Sequence, residues 1–177
     1  MEASRQIALR LGTTHLFQRS TRIAFYFASD GEVDTFPLLR RAWSMGKRCY
    51  LPKLYRIKQR RLWFAAIHEG GKLSVNRFGI PEPHQSARRM VDARALDLIV
   101  MPLVAFDGSG NRIGMGGGFY DDTLAFLNQR CAWKRPRLVG VAYDFQRVDA
   151  LHSHPWDVPL QAIVTEERIY RTGQILL

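Results

Sequence analysis

Short apolar segments without polar alternation recur along this chain, and they constrain its fold most strongly. The clearest is LIVMPLV at residues 98–104, and further runs occupy residues 23–28, 137–145 and 162–165. A strand that is apolar on both faces is usually buried on both faces, as in parallel sheets covered by helices. The sequence therefore predicts an α/β fold, a three-layer sandwich with a largely parallel central sheet.

The segment after the first apolar run has the signals of a helix. Residues 34–46, DTFPLLRRAWSMG, offer Asp34 or Thr35 as the N-terminal cap, Pro37 in the first turn and Gly46 at the end. The other predicted elements are a strand at residues 48–52 that Pro52 ends, a strand at 61–67, mostly loop at 68–84, and helical spacing of Tyr120, Thr123, Leu124 and Leu127.

Length and composition indicate one globular domain. The chain has 177 residues, of which 46% are hydrophobic and 24% charged, and it contains no internal repeat or linker-like segment. No apolar stretch is long enough to span a membrane, and the N-terminus has no secretory apolar segment. We therefore expect a monomeric cytoplasmic protein without a membrane partner. Cys49 and Cys131 lack CxxC spacing, so we expect two reduced thiols.

The net charge of +10 favours anionic partners. The densest basic cluster, RIKQRR at residues 56–61, is either a solvated loop or a contact for anions. Heptads, zinc-finger spacing and ribonucleoprotein aromatic motifs are absent from the sequence. We therefore expect no nucleic-acid partner, although a basic nucleic-acid-binding module remains a competing hypothesis on charge alone.

The sequence RIGMGGGFYDD, residues 112–122, contains four glycines within residues 114–118, here called the glycine loop. Glycines let backbone amides approach an anion, and the following helix N-terminus adds partial positive charge. Arg112 could add a forked cationic contact. Because Phe119 follows Gly118, both the Walker motif and the G-x-G-x-x-G fingerprint fail. From this chemistry alone, an anion-binding loop and an unusual structural turn both remain open.

Several acidic and histidine residues have two interpretations. Asp121, in the first turn after the glycines, is either a helix-cap carboxylate or a ligand of magnesium beside phosphates. His152 and His154 would face the same way on a strand, as metal ligands can, but no third ligand stands out nearby.

The order of five motifs is more specific than any one of them. They are SDGEVDTFPLL at 29–39, GKRCYLP at 46–52, MPLVAFDGSGNRIGMGGGFYDDTL at 101–124, VGVAYDFQ at 139–146 and HPWDVPLQAIVT at 154–165. From about residue 22 onward the chain resembles the 5-formyltetrahydrofolate cyclo-ligase family, also called methenyltetrahydrofolate synthetases. The resemblance implies one cyclo-ligase-like domain over residues 1–177, with 1–21 an abbreviated form of the family's N-terminal helical segment.

The resemblance also implies a reaction. Members of this family use ATP and Mg²⁺ to convert 5-formyltetrahydrofolate, with or without a polyglutamate tail, into 5,10-methenyltetrahydrofolate, ADP and phosphate. The proposed chemistry is phosphoryl transfer to the formyl oxygen, attack by a second folate nitrogen and departure of phosphate. Such chemistry requires positioning and charge neutralisation more than a protein nucleophile.

Matching positions carry the family's site onto this chain. The residues implied to hold ATP are Arg112, Ile113, Gly114, Met115, Gly116, Gly117, Gly118, Phe119 and Tyr120, with Arg112 and Tyr120 catalytic. Those implied to border the folate are Phe27, Glu32, Met115, Gly116, Gly117, Gly118 and Phe119. Asp121 and Asp157 match the acidic positions associated with Mg²⁺. Without the resemblance, Glu32 and Asp157 are interpreted as turn and cap residues. Lys53, Arg56, Lys58, Arg60 and Arg61 either meet a polyglutamate tail or form a solvated loop.

Two features depart from the family's pattern. The family begins with a basic helix of the form K-x-x-x-R-x-x-x-x-R, to which Arg5 and Arg10 correspond only in character. Asp122 stands where the family commonly has arginine. These departures motivate an alternative, a folate- or nucleotide-binding relative with reduced or lost catalysis.

Overall fold

The structure, a computed structural model, describes residues 2–29, 31–54, 60–75, 79, 81–84, 89–129 and 135–172. The helices are α1 (Glu2–Gly12), α2 (His15–Arg19), α3 (Phe36–Ser44) and α4 (Phe119–Leu124), with 3₁₀ turns at Ala93–Ala95, Ala125–Leu127 and Asp144–Gln146. The strands are β1 (Arg22–Ala24), β2 (Arg48–Leu54), β3 (Leu62–Ile67), β4 (Leu73–Val75), β5 (Pro81–Pro83), β6 (Leu98–Met101), β7 (Ala105–Phe106), β8 (Arg112–Ile113), β9 (Arg137–Val141), β10 (Ala162–Val164) and β11 (Ile169–Arg171).

Seven strands form the central sheet in the order β11-β10-β9-β6-β1-β2-β3. The five inner strands are mutually parallel, and the edge strands β3 and β11 pair antiparallel with their neighbours. The pairs β4–β5 and β7–β8 are separate antiparallel ribbons. The predicted largely parallel sheet is therefore confirmed.

The two faces of this sheet pack against different layers. Ile23 and Val100 belong to one buried cluster with Leu38 of α3, which also includes side chains of α1 and α2. Their neighbours along the strands, such as Ile99, belong to a second cluster with Leu124 of α4. Because successive side chains of a strand point to opposite faces, each inner strand contributes to both clusters. This arrangement confirms the predicted three-layer sandwich.

Pro52 does not end β2 as the sequence predicted. It lies inside the strand, opposite Phe64 of β3. The registered pairing of β2 with β1 stops at Tyr50, so from there on β2 has β3 as its only partner in the sheet's described strands. A strand at such an edge tolerates a residue without an N–H.

Other boundaries also differ from the expectations. The predicted helix at 34–46 is confirmed as α3, and residues 68–84, predicted to be mostly loop, also contain the short ribbon β4–β5. β4 has only three residues, Leu73–Val75, all exposed, and so short a segment gives no reliable strand signal. The inner strands β1, β6 and β9 are shorter than the apolar runs that predicted them. Those runs continue into loops whose side chains are also buried, as at Phe25 and Leu103.

Cys49 is a buried free thiol, as predicted, and Cys131 lies outside the described residues. Of the basic cluster at 56–61, residues 56–59 also lie outside them, and Arg61 pairs with Asp92 at 3.0 Å. Among the helices of the described chain, none has the length and apolar character needed to cross a membrane.

Candidate active site

The connections that follow β1 and β6 meet at the carboxyl edge of the sheet. The chain leaves β1 through α3 toward β2, and it leaves β6 through α4 toward β9, on the opposite side. The adjacent strands β1 and β6 therefore form a topological switch point, where parallel sheets open a ligand crevice. Glu32 lies in the first connection and the glycine loop in the second, so the fold directs two separate predicted motifs to one crevice.

The glycine loop presents its backbone to solvent. Residues 114–118 are all exposed, and Gly116 and Gly118 have φ values of 81° and 64°. Glycine adopts these left-handed conformations without strain, whereas residues with a Cβ do so rarely. A Cβ built at Gly114, Gly116 or Gly118 meets no atom within 4 Å, so open space surrounds the loop. Backbone geometry, not close packing, accounts for Gly116 and Gly118.

Arg112 joins the start of this loop to the chain around Val158. Its side chain is only 6% exposed, its Nη2 donates to Asp121 Oδ1 at 2.8 Å, and its Nη1 donates to the Val158 carbonyl. The Val158 N–H donates in turn to Asp121 Oδ1 at 3.3 Å. The two predicted residues Arg112 and Asp121 are therefore in direct contact, and Arg112 first of all positions the Asp121 carboxylate.

Asp157, the other predicted metal ligand, precedes Val158 and closes a turn. Its Oδ2 accepts from the His154 N–H at 2.7 Å, and its own N–H donates to the His154 carbonyl at 3.0 Å. The hydrogen bonds of both carboxylates within the described chain involve a single oxygen, Oδ1 of Asp121 and Oδ2 of Asp157. One oxygen of each acid thus remains for a cation, and their two loops are joined by the Asp121–Val158 contact.

The predicted histidine pair lies in the same loop but not on a strand. His152 and His154 are exposed, and the His154 ring stacks on Trp156 with centroids 4.6 Å apart. Among the described residues, no three histidine, cysteine or acidic side chains gather into a metal cluster.

Glu32 is half-buried and is held by a tight turn. Its Oε2 accepts from the Ser29 N–H at 3.0 Å. The next residue, Val33, accepts a hydrogen bond of 2.8 Å from the buried Tyr26 hydroxyl, and Thr35 donates to the Tyr26 carbonyl. Phe27, the other predicted folate contact of this segment, packs at the edge of the same core.

Tyr120 links the two halves of the crevice electrostatically. Burial raises the pKa of Tyr120, the Glu32 carboxylate raises it further, and the Arg112 guanidinium lowers it. The pKa of Tyr26 is likewise raised, first by burial and then by Glu32, with smaller contributions from Tyr120 and Tyr143. Both phenol hydroxyls therefore keep their protons at neutral pH. Tyr120 lies close enough to Glu32 and Arg112 for both charges to affect its pKa.

The basic residues of α1 take two different positions. Arg10 reaches toward the carboxyl edge of the sheet and donates from Nη2 to the Glu166 carbonyl at 2.8 Å. Arg5 instead lines a groove of about 510 Å³ between α1 and α3, together with Arg40 and Arg41. This groove contains none of the predicted site residues.

Comparison with known proteins identifies the family. The family model described as 5-formyltetrahydrofolate cyclo-ligase family matches residues 1–166. The 5-formyltetrahydrofolate cyclo-ligase of Escherichia coli strain K12 is 39% identical over 169 residues, which cover 96% of this chain and 91% of that protein. The chain belongs to the 5-formyltetrahydrofolate cyclo-ligase family.

Relatives within this family share the fold as well. The enzyme of the same name from Haemophilus influenzae is 39% identical over 145 residues, covering 81% of this chain and 74% of that protein. The NMR structure of Aquifex aeolicus 5,10-methenyltetrahydrofolate synthetase superposes with a TM-score of 0.79 at 33% identity, covering 98% of this chain and 84% of that one. A synthetase structure from Mycoplasma pneumoniae, 23% identical with a TM-score of 0.67, agrees in fold.

The sequence did not single out three residues of this cyclo-ligase family member that lie beside the crevice. They are Tyr26, Tyr143 and Val158. Tyr26 and Tyr143 lie within apolar runs, where a tyrosine is not distinguished from other core aromatics. Val158 contributes backbone atoms, for which side-chain chemistry gives no signal. A tyrosine at the end of a buried strand, beside a segment with a carboxylate, is the signal that could have identified Tyr26.

Proposed function

We propose that this protein converts 5-formyltetrahydrofolate into 5,10-methenyltetrahydrofolate, using ATP and Mg²⁺ and releasing ADP and phosphate. The observation that supports the proposal best is that Glu32 and the glycine loop meet at one topological switch point. The segment of Glu32, matched to the pterin pocket, follows β1, and the glycine loop follows the neighbouring parallel strand β6. Two substrates that must react with each other need their sites to adjoin in this way.

The folate half of the proposed site is built around Glu32 and Phe27. A carboxylate accepts paired N–H donors from a pterin edge, and the turn with Ser29 fixes its direction. Phe27 and the exposed side chain of Met115 supply apolar surface to the ring system. Gly116, Gly117 and Gly118 allow the folate to approach the loop because they have no side chains.

The ATP half uses the backbone amides of residues 112–120, of which residues 113–118 are exposed. The backbone N–H groups of glycines suit phosphate oxygens because no side chain blocks their approach. The partial positive charge at the N-terminal end of α4 adds to this attraction. The Asp121 and Asp157 oxygens left free by their hydrogen bonds fit a magnesium ion, which beside phosphates takes one or two carboxylates and waters. When bound, Mg²⁺ would neutralise phosphate charge and favour transfer of the γ-phosphoryl group.

In the proposed reaction the formyl oxygen attacks the γ-phosphorus of ATP, and the bond from that phosphorus to the bridging oxygen of ADP breaks. The folate N10 then attacks the activated formyl carbon, and inorganic phosphate leaves with the former formyl oxygen and takes up the proton that N10 loses. Because Tyr120 is neutral, its hydroxyl can donate a hydrogen bond to the reacting groups, which lie between the folate half and the ATP half of the site. Arg112 holds Asp121 in place and adds positive charge near the phosphates.

A folate- or nucleotide-binding relative with reduced or lost catalysis is the second candidate, and Asp122 is one of the two departures that motivate it. The Asp122 side chain is exposed, and its backbone N–H donates to the Gly118 carbonyl at 3.0 Å. An exposed carboxylate is well solvated, so its effect on nearby phosphates is screened. The exposed position of the Asp122 side chain therefore favours the active enzyme.

Absorbance of the methenyl product distinguishes the two candidates. The purified protein is mixed with 5-formyltetrahydrofolate, ATP and Mg²⁺, and matched reactions omit ATP or Mg²⁺. An absorbance increase that requires both supports the cyclo-ligase. Folate binding by calorimetry without any absorbance change would support the inactive relative, and absence of both would refute the proposed function.

A further inference from the structure

Phe145 is the most exposed large apolar side chain found beside the crevice. It lies in the 3₁₀ turn Asp144–Gln146 after β9 and is 83% exposed. Its ring is stacked on Tyr143, with centroids 5.6 Å apart and an interplanar angle of 5°. Tyr143 itself packs against the core. One face of the Phe145 ring is therefore supported by the protein, while the side chain remains open to solvent.

The turn that carries Phe145 is anchored on both sides. The Gln146 side chain accepts from the Tyr143 N–H at 2.7 Å and donates to the carbonyls of Leu103 and Val104 at 3.0 and 2.9 Å. The Asp144 carboxylate accepts from the Tyr170 hydroxyl at 2.7 Å. Because its neighbours are fixed in this way, the exposed ring is a preformed surface rather than a loose side chain.

The surroundings of Phe145 connect it to the crevice. Val104, contacted by Gln146, is 48% exposed and donates its N–H to the Ile113 carbonyl at 2.7 Å. Ile113 is 47% exposed and leads into the glycine loop at Met115, which is 70% exposed. On the other side, Tyr143 packs against the buried cluster that contains Tyr26, and the Tyr26 hydroxyl holds the segment of Glu32. These hydrogen bonds connect the turn of Phe145 to the start of the glycine loop, and both segments follow the carboxyl ends of adjacent parallel strands, β9 and β6.

Exposed apolar side chains gathered beside a site are typical of ligand contact. We infer that Phe145, supported by Tyr143, stacks on the p-aminobenzoyl ring of the folate substrate. The pterin needs hydrogen-bonding partners, which Glu32 offers and Phe145 does not. The p-aminobenzoyl ring is flat and apolar on both faces, which matches a stacked phenyl surface and the neighbouring aliphatic side chains. This inference rests on the proposed function and adds a contact that selects for the folate's middle portion.

Calorimetric binding of two ligands tests the inference. The ligands are 5-formyltetrahydrofolate and 5-formyl-6-methyltetrahydropterin, which lacks the p-aminobenzoyl and glutamate portions. Phe145→Ala should weaken folate binding about tenfold, as expected for loss of one stacked ring, and leave the pterin's affinity unchanged. Phe145→Tyr keeps the ring and should restore folate binding to within about twofold. ATP affinity should not change in either variant.

The matched control is Leu9→Ala, which removes another exposed apolar side chain, 59% exposed on α1. It should leave both affinities unchanged. The inference is overturned if Phe145→Ala leaves folate binding intact, weakens folate and pterin equally, or weakens ATP instead. If the unaltered protein does not bind folate, the proposed function is overturned as well. That measurement comes before any variant is made, so the two failures are distinguishable.

Discussion

Arg112 and Asp121 form an ion pair of 2.8 Å between Nη2 and Oδ1, and this pair ties the entrance of the glycine loop to α4. The same guanidinium binds the Val158 carbonyl, so three separate segments meet at one nearly buried side chain. We expect this pair to have two consequences, one for catalysis through Asp121 and one for stability through Arg112.

Asp121→Asn tests the catalytic consequence. The amide has nearly the shape of the carboxylate but carries no charge for Mg²⁺, so we expect kcat to fall about 100-fold and the Mg²⁺ concentration for half-maximal rate to rise. Magnesium titrations of the methenyl absorbance rate measure both effects. Asp122→Asn, the exposed neighbour, is the matched control and should retain the magnesium dependence. Equal behaviour of the two variants would remove Asp121 from the metal site.

Arg112→Lys tests the stability consequence. A lysine retains the charge but does not reproduce the forked contact with both Asp121 and Val158. We expect the free energy of unfolding to fall by about 1–3 kcal/mol, because buried polar groups lose partners. Urea unfolding measures this, and Arg135→Lys, at an exposed pair with Asp97, should change it much less. An unchanged unfolding midpoint for Arg112→Lys would contradict the role assigned to this contact.

Glu32→Gln tests the folate half of the site. The amide oxygen can still accept from the Ser29 N–H, so the turn should persist while the negative charge is lost. We expect the KM for 5-formyltetrahydrofolate to rise about 10- to 100-fold, as for a lost charge-assisted hydrogen bond, with the KM for ATP changed far less. Steady-state rates at varied folate and varied ATP separate the two. A larger effect on ATP would place Glu32 in the nucleotide half.

Tyr26→Phe tests how Glu32 is positioned. The ring remains in the core, but the hydrogen bond from the hydroxyl to the Val33 carbonyl is lost. We expect about 1 kcal/mol of lost stability and a higher KM for folate, since Val33 adjoins Glu32. Chemical unfolding and folate titration provide the two readouts. Loss of stability with an unchanged folate KM would show that Tyr26 supports the core only.

Cys49 predicts a pH dependence of stability. Burial raises the pKa of its thiol from 9.0 to about 12. Between these values the folded chain keeps a proton that the unfolded chain releases, so stability is complete below pH 9 and falls as pH rises. From pH 8 to pH 10 we expect a loss of about 1 kcal/mol from this group. Urea unfolding across that range should show a shallower fall for Cys49→Ala, and equal slopes would contradict the assignment.

The sequence predicted the sheet better than its edges. Runs such as residues 98–104 revealed buried inner strands because both faces of those strands meet helices. The exposed β4 gave no such signal. Pro52 led to a wrong end for β2, because only the assembled sheet shows that this residue lies beyond the pairing with β1.

The candidate site was predicted by motif order, but its internal contacts were not. Arg112 and Asp121 were assigned to phosphate and metal as separate ligands, and their ion pair depends on how α4 turns back after Gly118. The contact of Val158 with Asp121 joins residues that are 37 positions apart in the chain. Tertiary packing decides such contacts, and local sequence does not encode them.

The most direct test of the proposed reaction is the ratio of ADP released to methenyltetrahydrofolate formed in one reaction mixture. Product absorbance and ADP are measured together at saturating 5-formyltetrahydrofolate, ATP and Mg²⁺. Phosphoryl activation of the formyl oxygen predicts one ADP for each methenyl product throughout the time course. Methenyl formation without ADP, or ADP release without methenyl formation, would contradict the account.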